Sequence, residues 1–121
     1  MQTNLAILTL TVIASATVSA NRFVTQAGAL PAAGGLPFGV TRTDGISGDP
    51  IPVDVLGTAL VQAGGTITKD APLMVTVEGK VIAHDLDGDK HAVARAMSDA
   101  VDGEVFEVLL LPSAGLLVTA T

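Results

Sequence analysis

The residues with the clearest potential for chemistry are three aspartates at alternate positions, Asp85, Asp87 and Asp89. A calcium loop of the helix–loop–helix type has carboxylates at its first, third and fifth positions, so the stretch begins as such a loop does. The match then fails, because Gly stands at the fourth place instead of the sixth and the twelfth residue is Ala96 instead of a bidentate Glu. We therefore interpret residues 85–90 as the polar tip of a hairpin, with a weak cation site as the alternative, and we predict no metal and no cofactor.

Other chemistry-bearing residues are scattered. His84 and His91 flank the same tip, but seven residues of polar loop make loose spacing for a metal site, and surface histidines are the simpler interpretation. The serines lie outside any G-x-S-x-G motif, and the Gly-rich segment at residues 27–37 lacks the GK[ST] ending of a phosphate loop. We predict no catalytic residues and no enzyme.

A carrier domain for biotin or lipoate is a further alternative. Residues 63–73 resemble the turn of such domains, and Lys80 follows a Glu78-Gly79 hairpin turn. The shared element is a common β-hairpin geometry, so an ordinary hairpin is the simpler interpretation.

Composition restricts the class of protein. The chain has 121 residues, 49% of them hydrophobic, with three Phe, no Trp, Tyr or Cys and a net charge of −6. Its six basic residues stand singly, so nucleic-acid binding is not expected, and no run outside the first segment approaches the ~20 apolar residues of a membrane span. A single domain of this size does not readily bury so many apolar side chains, and we expect part of that surface to be buried against other chains.

The first long pattern is an alternation over residues 6–20. Even-numbered residues are apolar, and Thr or Ser dominates the odd ones, which is typical of a strand with one buried and one wet face. The alternative is a secretion signal, since Val18-Ser19-Ala20 resembles a cleavage site. No Lys or Arg precedes the run, which favours the strand.

The rest of the chain reads as short strands between Gly and Pro turns, with no exact internal repeat. We predict an all-β fold: a small single-domain β-barrel or β-sandwich with little or no helix. Domain 1–121 is expected to comprise an N-terminal strand or arm (1–20), a β core (21–112) and a C-terminal edge strand or tail (113–121). Predicted strands cover residues 23–26, 38–43, 53–63, 66–68, 73–77, 80–84, 92–100 and 104–111.

Several of these stretches together resemble the family of small tailed-phage capsid decoration, or head cement, proteins. The resemblance rests on the opening Met-Gln-Thr-Asn-Leu with its Thr-alternating strand, on residues 38–44 and 48–58, on the turn at 63–65 and on residues 104–112. Residues 71–75 and 80–85 more distantly resemble head-stabilising proteins of lambda-like phages.

The resemblance implies a structural virion protein that binds the major capsid protein on the outer capsid surface, often as a trimer, and stabilises the expanded shell. An exported bacterial β-domain with a cleaved N-terminal segment is the alternative. Within the first interpretation, the start of the first strand is expected to contact the lattice or a sister subunit by adding to a sheet edge. These residues are Gln2, Thr3, Asn4, Leu5, Ala6, Ile7 and Leu8.

Overall fold

The computed structural model describes residues 6–85 and 90–111, and every regular element within these ranges is a β-strand. The strands are β1 (Ala6–Ile13), β2 (Phe23–Val24), β3 (Gly39–Thr41), β4 (Pro50–Gln62), β5 (Pro72–Val75), β6 (Val81–Ala83), β7 (Ala94–Ala96) and β8 (Val105–Leu110). No helix in this part of the chain is long and apolar enough to cross a bilayer. The prediction of an all-β fold is confirmed.

The strands form a curled antiparallel sheet, a half-barrel, in the order β2-β3-β4-β8-β7-β5-β6, with β1 added on β4. The long strand β4 joins two parts of this sheet: residues 50–57 pair with β1 and β3, and residues 58–62 pair with β8. Gly57 lies where the partners change and has a φ of 100°. Only glycine adopts this conformation without strain, so Gly57 lets one strand serve both parts.

Two clusters of buried side chains fill the fold. The larger one, which includes Phe106, lies mainly under residues 58–62 of β4 and under β5, β7 and β8. The smaller one, which includes Ile51, lies mainly under β1, β2 and the first part of β4. Phe106 and Ile51 are at most 2% exposed, and burying a side chain of this size stabilises the fold by about 2 kcal/mol.

The two parts of the sheet repeat one four-stranded unit. We call β1, β2, β3 and residues 50–57 the N-terminal half, and residues 58–62, β5, β7 and β8 the C-terminal half. In each half the first strand pairs with the last, the last with the third and the third with the second. The registers agree: Ile13 opposes Pro50 as Gln62 opposes Val105, which shifts the first strand by 49 positions and the last by 55.

The connections repeat as well. The amide of Ala20 donates to the Asp44 carboxylate at 2.7 Å, and the amide of Lys69 donates to Asp99 at the same distance. Left-handed backbone recurs at equivalent residues: Asn21 and Asp70 (φ 62° and 71°), and Gly48 and Gly103 (φ 95° and 89°). The sequence shows no exact repeat, because few equivalent residues are identical. The register makes the duplication visible.

The prediction of one continuous strand over residues 6–20 is wrong. The strand ends at Ile13, and the chain then leaves β4: the amide of Ser15 donates to the carbonyl of Gly28, which belongs to no strand. Val18 then forms only an isolated bridge. The expected buried face is also interrupted, since Leu8, Leu10 and Ala16 are exposed while Val12, Ala14 and Val18 are buried.

Most other predicted strands are present with shorter bounds. The predicted strand at residues 92–100 contains only the three residues of β7, and residues 66–68 contribute a single bridge from Ile67 to Ala100. The predicted hairpin is formed by β5 and β6. The C-terminal segment 113–121 and residues 86–89 of the polar tip lie outside the described residues, so their predicted roles stay predictions, as does the division into arm, core and tail.

Candidate docking surface

The outer edge of β1 is open as far as residues 6–85 and 90–111 are concerned. Within the described residues β1 pairs only with β4, so the backbone groups of its other edge have no strand partner. Two of its large apolar side chains are also exposed to solvent, Ile7 by 76% and Ile13 by 58%. Natural edge strands are commonly protected by charges or proline, and β1 contains neither. The edge therefore has the chemistry needed to accept a further strand.

An apolar groove of about 320 Å³ adjoins this edge. Leu8 and Leu10 of β1 and Leu110 and Leu111 at the end of β8 line it, so both halves contribute. The remaining lining residues are Phe23, Leu36, Pro37, Phe38, Gly39, Val55, Leu56 and Val93. No charged residue is among them, which suits apolar side chains of another chain better than a polar small molecule.

Two polar contacts to the buried Asp54 carboxylate, one of them from Thr9, hold β1 in this position. The Thr9 hydroxyl donates to Oδ1 of Asp54 at 2.8 Å, and Nε of Arg42 lies 3.4 Å from Oδ2 of the same carboxylate. The Asp54 side chain is only 2% exposed, so its two partners compensate for the loss of water. Because neighbouring residues of a regular strand point to opposite faces, holding Thr9 over Asp54 turns Leu10 towards the groove.

Of the predicted contact residues, the structure describes Ala6, Ile7 and Leu8. All three belong to β1, and Leu8 lines the groove. Gln2, Thr3, Asn4 and Leu5 lie outside the described residues. Nothing here tests whether any of them contacts a partner, so the prediction stands as made.

Sequence reasoning missed the groove's other contributors. Leu36 and Phe38 come from a segment interpreted as a loop and a strand start, and Leu111 comes from a strand interpreted as core. One local signal was available: large apolar residues next to proline, at Leu36-Pro37-Phe38 and Leu111-Pro112, at strand boundaries. Their convergence depends on long-range pairing, which local sequence does not encode.

The described residues at the two ends of the polar tip make local contacts. Lys90 pairs with the carboxylate of Asp85, and Nε2 of His84 lies 3.0 Å from the carbonyl oxygen of Lys90. The amide of His91 donates to the carbonyl of Gly34 at 3.0 Å. Across the residues that the structure describes, no three His, Asp or Glu side chains converge in a way that would hold a metal ion.

The hairpin between β5 and β6 contacts the N-terminal half. The amide of Phe23 donates to the carbonyl of Gly79 at 2.8 Å, and Arg22 reaches the carbonyl of Glu78 at 3.1 Å. The Arg22 guanidinium also donates twice to Oε1 of Gln62. Lys80 thus stands at the base of a hairpin whose turn is docked against the body of the domain.

These features define a small β-domain in which, among the described residues, an open strand edge adjoins an apolar groove. The chain belongs to the phage cement protein family, whose model matches residues 1–111. It is accordingly a structural protein associated with a phage capsid.

One solved structure with the same fold is the head fiber gp8.5 N base of bacteriophage phi29. The two chains share 21% sequence identity and superpose with a TM-score of 0.72, over 86% of this chain and 93% of the other. No curated protein sequence matches the chain significantly.

Proposed function

We propose that the protein is a capsid decoration factor that binds the major capsid protein on the outer surface of the shell as a homotrimer. In this role it stabilises the expanded capsid. The observation that carries the proposal is the joint occurrence of a cement-family sequence and an unprotected edge strand beside an apolar groove. The phi29 neighbour supports a place on the capsid, since that chain is the N base of a phage head fiber.

The edge of β1 supplies the binding chemistry. A strand added to an open edge forms main-chain hydrogen bonds that depend little on side-chain identity. Leu8 and Leu10 then add apolar burial, at roughly 25 cal/mol for each Å² removed from water. A surface of this kind suits a partner that offers an extended segment with alternating apolar side chains.

Stabilisation of the shell follows from mass action. A ligand that binds the expanded lattice and not its dissociated subunits lowers the free energy of the lattice by RT ln(1 + [L]/Kd). A trimer engages several sites at once, so a weak contact per chain becomes a tight attachment. The net charge of −6 keeps such an apolar protein soluble before it binds.

The alternative of an exported domain requires the loss of the first twenty residues. Three of the six residues that define the smaller buried cluster, Val12, Ala14 and Val18, belong to that segment. Their removal would also leave residues 50–57 of β4 without β1. Intact mass of the protein from its native source distinguishes the two: a chain that begins at Asn21 supports export, and one that begins at Met1 or Gln2 does not.

The direct test is calorimetric melting of purified expanded capsids with and without the protein. We expect the main capsid transition to move upwards by several degrees when the protein is bound. A variant at the groove, Leu10→Asp, has Leu109→Asp as its matched control in this experiment. Leu109 is exposed to the same degree as Leu10 but lies outside the groove. Equal melting with and without the wild-type protein would overturn the cementing role.

Deletion of residues 2–8 tests the predicted contact segment. The shortened chain keeps Thr9, Val12 and the polar contact with Asp54, so we expect the domain to remain folded while attachment to capsids is lost. Circular dichroism reports the fold, and co-sedimentation with capsids reports attachment. Retained attachment would remove residues 2–8 from the contact surface.

A further inference from the structure

The duplicated fold repeats a surface feature as well as its strands. The connection before the last strand of each half carries an exposed aliphatic side chain, Ile46 in the N-terminal half (62% exposed) and Val101 in the C-terminal half (57%). The two are equivalent under the shift that relates the last strands. Single exposed aliphatic residues are common on protein surfaces, but pairing of the strands does not require one at the same place in both halves. Its recurrence indicates a shared role at the surface.

An equivalent carboxylate holds each of these aliphatic residues in place. The amide of Ile46 donates to Oδ2 of Asp49 at 3.0 Å, and the amide of Val101 donates to Oε1 of Glu104 at 2.8 Å. Each carboxylate uses one oxygen in this bond, so its other oxygen can accept a hydrogen bond from a partner. We call residues 17–19 with 44–49 the first corner, and residues 66–68 with 99–104 the second corner.

The second corner encloses a hollow of about 280 Å³. Its floor is apolar, since Ile67 and Ala100 are only 2% and 3% exposed, and the exposed carboxylates of Asp99 and Glu104 stand at its rim. An apolar floor with an acidic rim matches a Lys or Arg side chain, whose aliphatic stem packs on apolar surface while its charged end pairs with a carboxylate. The remaining lining residues are Thr66, Thr68 and Val101.

The first corner has the same construction. Val18 bridges Gly45 as Ile67 bridges Ala100 in the second corner. The carboxylates of Asp44 and Asp49 accept from backbone amides at the positions equivalent to those that Asp99 and Glu104 bind. Each corner therefore combines an exposed aliphatic residue, an apolar bridge and two carboxylates.

Three side chains connect the two corners. The Thr41 hydroxyl donates to the carbonyl of Ser19 in the first corner at 2.7 Å, and it accepts from the amide of Arg22 at 3.2 Å. The Arg22 guanidinium donates to Oε1 of Gln62, and Nε2 of Gln62 donates to the carbonyl of Gly103 in the second corner at 3.1 Å. These hydrogen bonds hold the corners at a fixed spacing.

We propose that the two corners are equivalent docking sites, each of which takes a Lys or Arg side chain and an adjacent apolar residue from one of two copies of a partner protein. The proposal rests on the proposed function, under which the partner is the major capsid protein. It adds a second contact surface, because no residue of either corner lines the groove beside β1. Charge complementarity selects the occupant, since the chain carries a net charge of −6 and each corner presents two carboxylates. Two weak contacts at a fixed spacing reinforce each other, so one chain can hold two neighbouring subunits.

Nuclear magnetic resonance titration of the full chain tests the sites without capsids. The probe is a short capped peptide in which one arginine stands between two leucines, and the control peptide has neutral citrulline in place of arginine. We expect the arginine peptide to cause saturable shifts of the amides of Gly45 and Ala100, and the citrulline peptide to cause none. Equal shifts with the two peptides, or shifts at one corner only, would overturn the proposal.

Neutral variants assign the peptide to each corner separately. Glu104→Gln keeps an oxygen for the amide of Val101 and removes the charge, so we expect a rise of about threefold to fivefold in the dissociation constant at the second corner alone. Asp49→Asn should have the same effect at the first corner alone. Asp102→Asn is the control, because it removes the same charge next to Val101 but outside the hollow. An equal rise with Asp102→Asn would mean that only net charge matters, which contradicts the proposal.

Co-sedimentation with expanded capsids tests the identity of the partner. We expect the double variant Asp49→Asn, Glu104→Gln to raise the dissociation constant from capsids by about tenfold or more, because both contacts are lost together. The double variant Glu78→Gln, Asp102→Asn removes the same charge at exposed side chains and should leave it nearly unchanged. Equal attachment of wild type and both double variants would overturn this inference and leave the proposed function intact. A wild-type protein that does not attach would refute the proposed function, and the peptide titration would then decide this inference.

Discussion

The two halves share one pairing register and differ in how far their strands are covered by the rest of the chain. In the C-terminal half the first strand, residues 58–62, pairs with β8, and Ala59 is completely buried. Its equivalent in the N-terminal half, Leu10, is 39% exposed on an edge strand. β5 is covered by β6, whereas β2 has no such partner in the described chain. The duplication thus provides the same four-stranded unit twice. The N-terminal half, with the open edge of β1, carries the surface that we propose for partners.

The connection between the second and third strands produces this difference. In the C-terminal half it contains β6 and the turn at Gly79, which docks on Phe23 and Arg22 of the other half. The equivalent connection, residues 25–38, is shorter and forms no strand. It contributes Leu36 and Phe38 to the groove instead. We therefore call the C-terminal half, whose connection adds β6 to β5, the closed half. We call the N-terminal half, whose connection adds no strand, the open half.

The largest expected effect comes from the closed half. Phe106→Ala removes a side chain that is 2% exposed, and we expect a loss of about 4 kcal/mol in the free energy of unfolding. Leu10→Ala on the open edge should cost less than about 1 kcal/mol, since much of that side chain is already in water. Urea denaturation measures both, and similar losses would remove the distinction between the halves.

The second largest effect on the free energy of unfolding is expected at the contact between the halves, where the turn at Gly79 packs against Phe23. Gly79 has a φ of 79°, and a Cβ there would stand 2.6 Å from the carbonyl oxygen of Phe23. We expect Gly79→Ala to cost about 3 kcal/mol, from backbone strain and the loss of close contact. Gly103→Ala is the control, because it has a similar φ and open space around it, and should cost about 1 kcal/mol. Equal losses would show that the hairpin does not hold the halves together.

Two ion pairs provide a third comparison. Arg42→Ala leaves the buried Asp54 carboxylate with the Thr9 hydroxyl as its remaining side-chain partner described above, and we expect a cost of about 2 kcal/mol. Arg95→Ala removes a pair with Asp70 in which both side chains are more than half exposed, and should change stability by less than about 0.5 kcal/mol. Thermal unfolding at low and high salt checks both. A strong effect of Arg95 would contradict the assignment of the buried anchor to the N-terminal half.

The sequence alone predicted the fold class and most strands, but it did not predict which residues form the groove. Period-two alternation and Gly/Pro turns predicted the all-β class and most strands, because both signals are local. The end of β1 at Ile13 was missed, since the alternation of residue types continues past the point where the amide of Ser15 donates to the carbonyl of Gly28 instead of to β4. The duplication was missed for a related reason. Its halves share hydrogen-bond register and turn geometry, and few identical residues.

A small expected effect on stability accompanies the largest expected effect on binding. Leu10→Asp should lower the free energy of unfolding by less than about 1 kcal/mol, because residue 10 is partly in water already. It places a charge at a groove whose lining carries none. Urea denaturation checks the first statement, and a loss above about 2 kcal/mol would mean that Leu10 belongs to the core.

Co-sedimentation of the wild-type protein, Leu10→Asp and Leu109→Asp with purified expanded capsids tests most directly whether the open half binds the shell. Leu10 and Leu109 are equally exposed, at 39%, and belong to opposite halves. The account predicts that wild type and Leu109→Asp pellet with the capsids while Leu10→Asp stays in the supernatant. If Leu10→Asp pelleted with the capsids and Leu109→Asp stayed in the supernatant, the contact would lie on the C-terminal half, and the account would be contradicted.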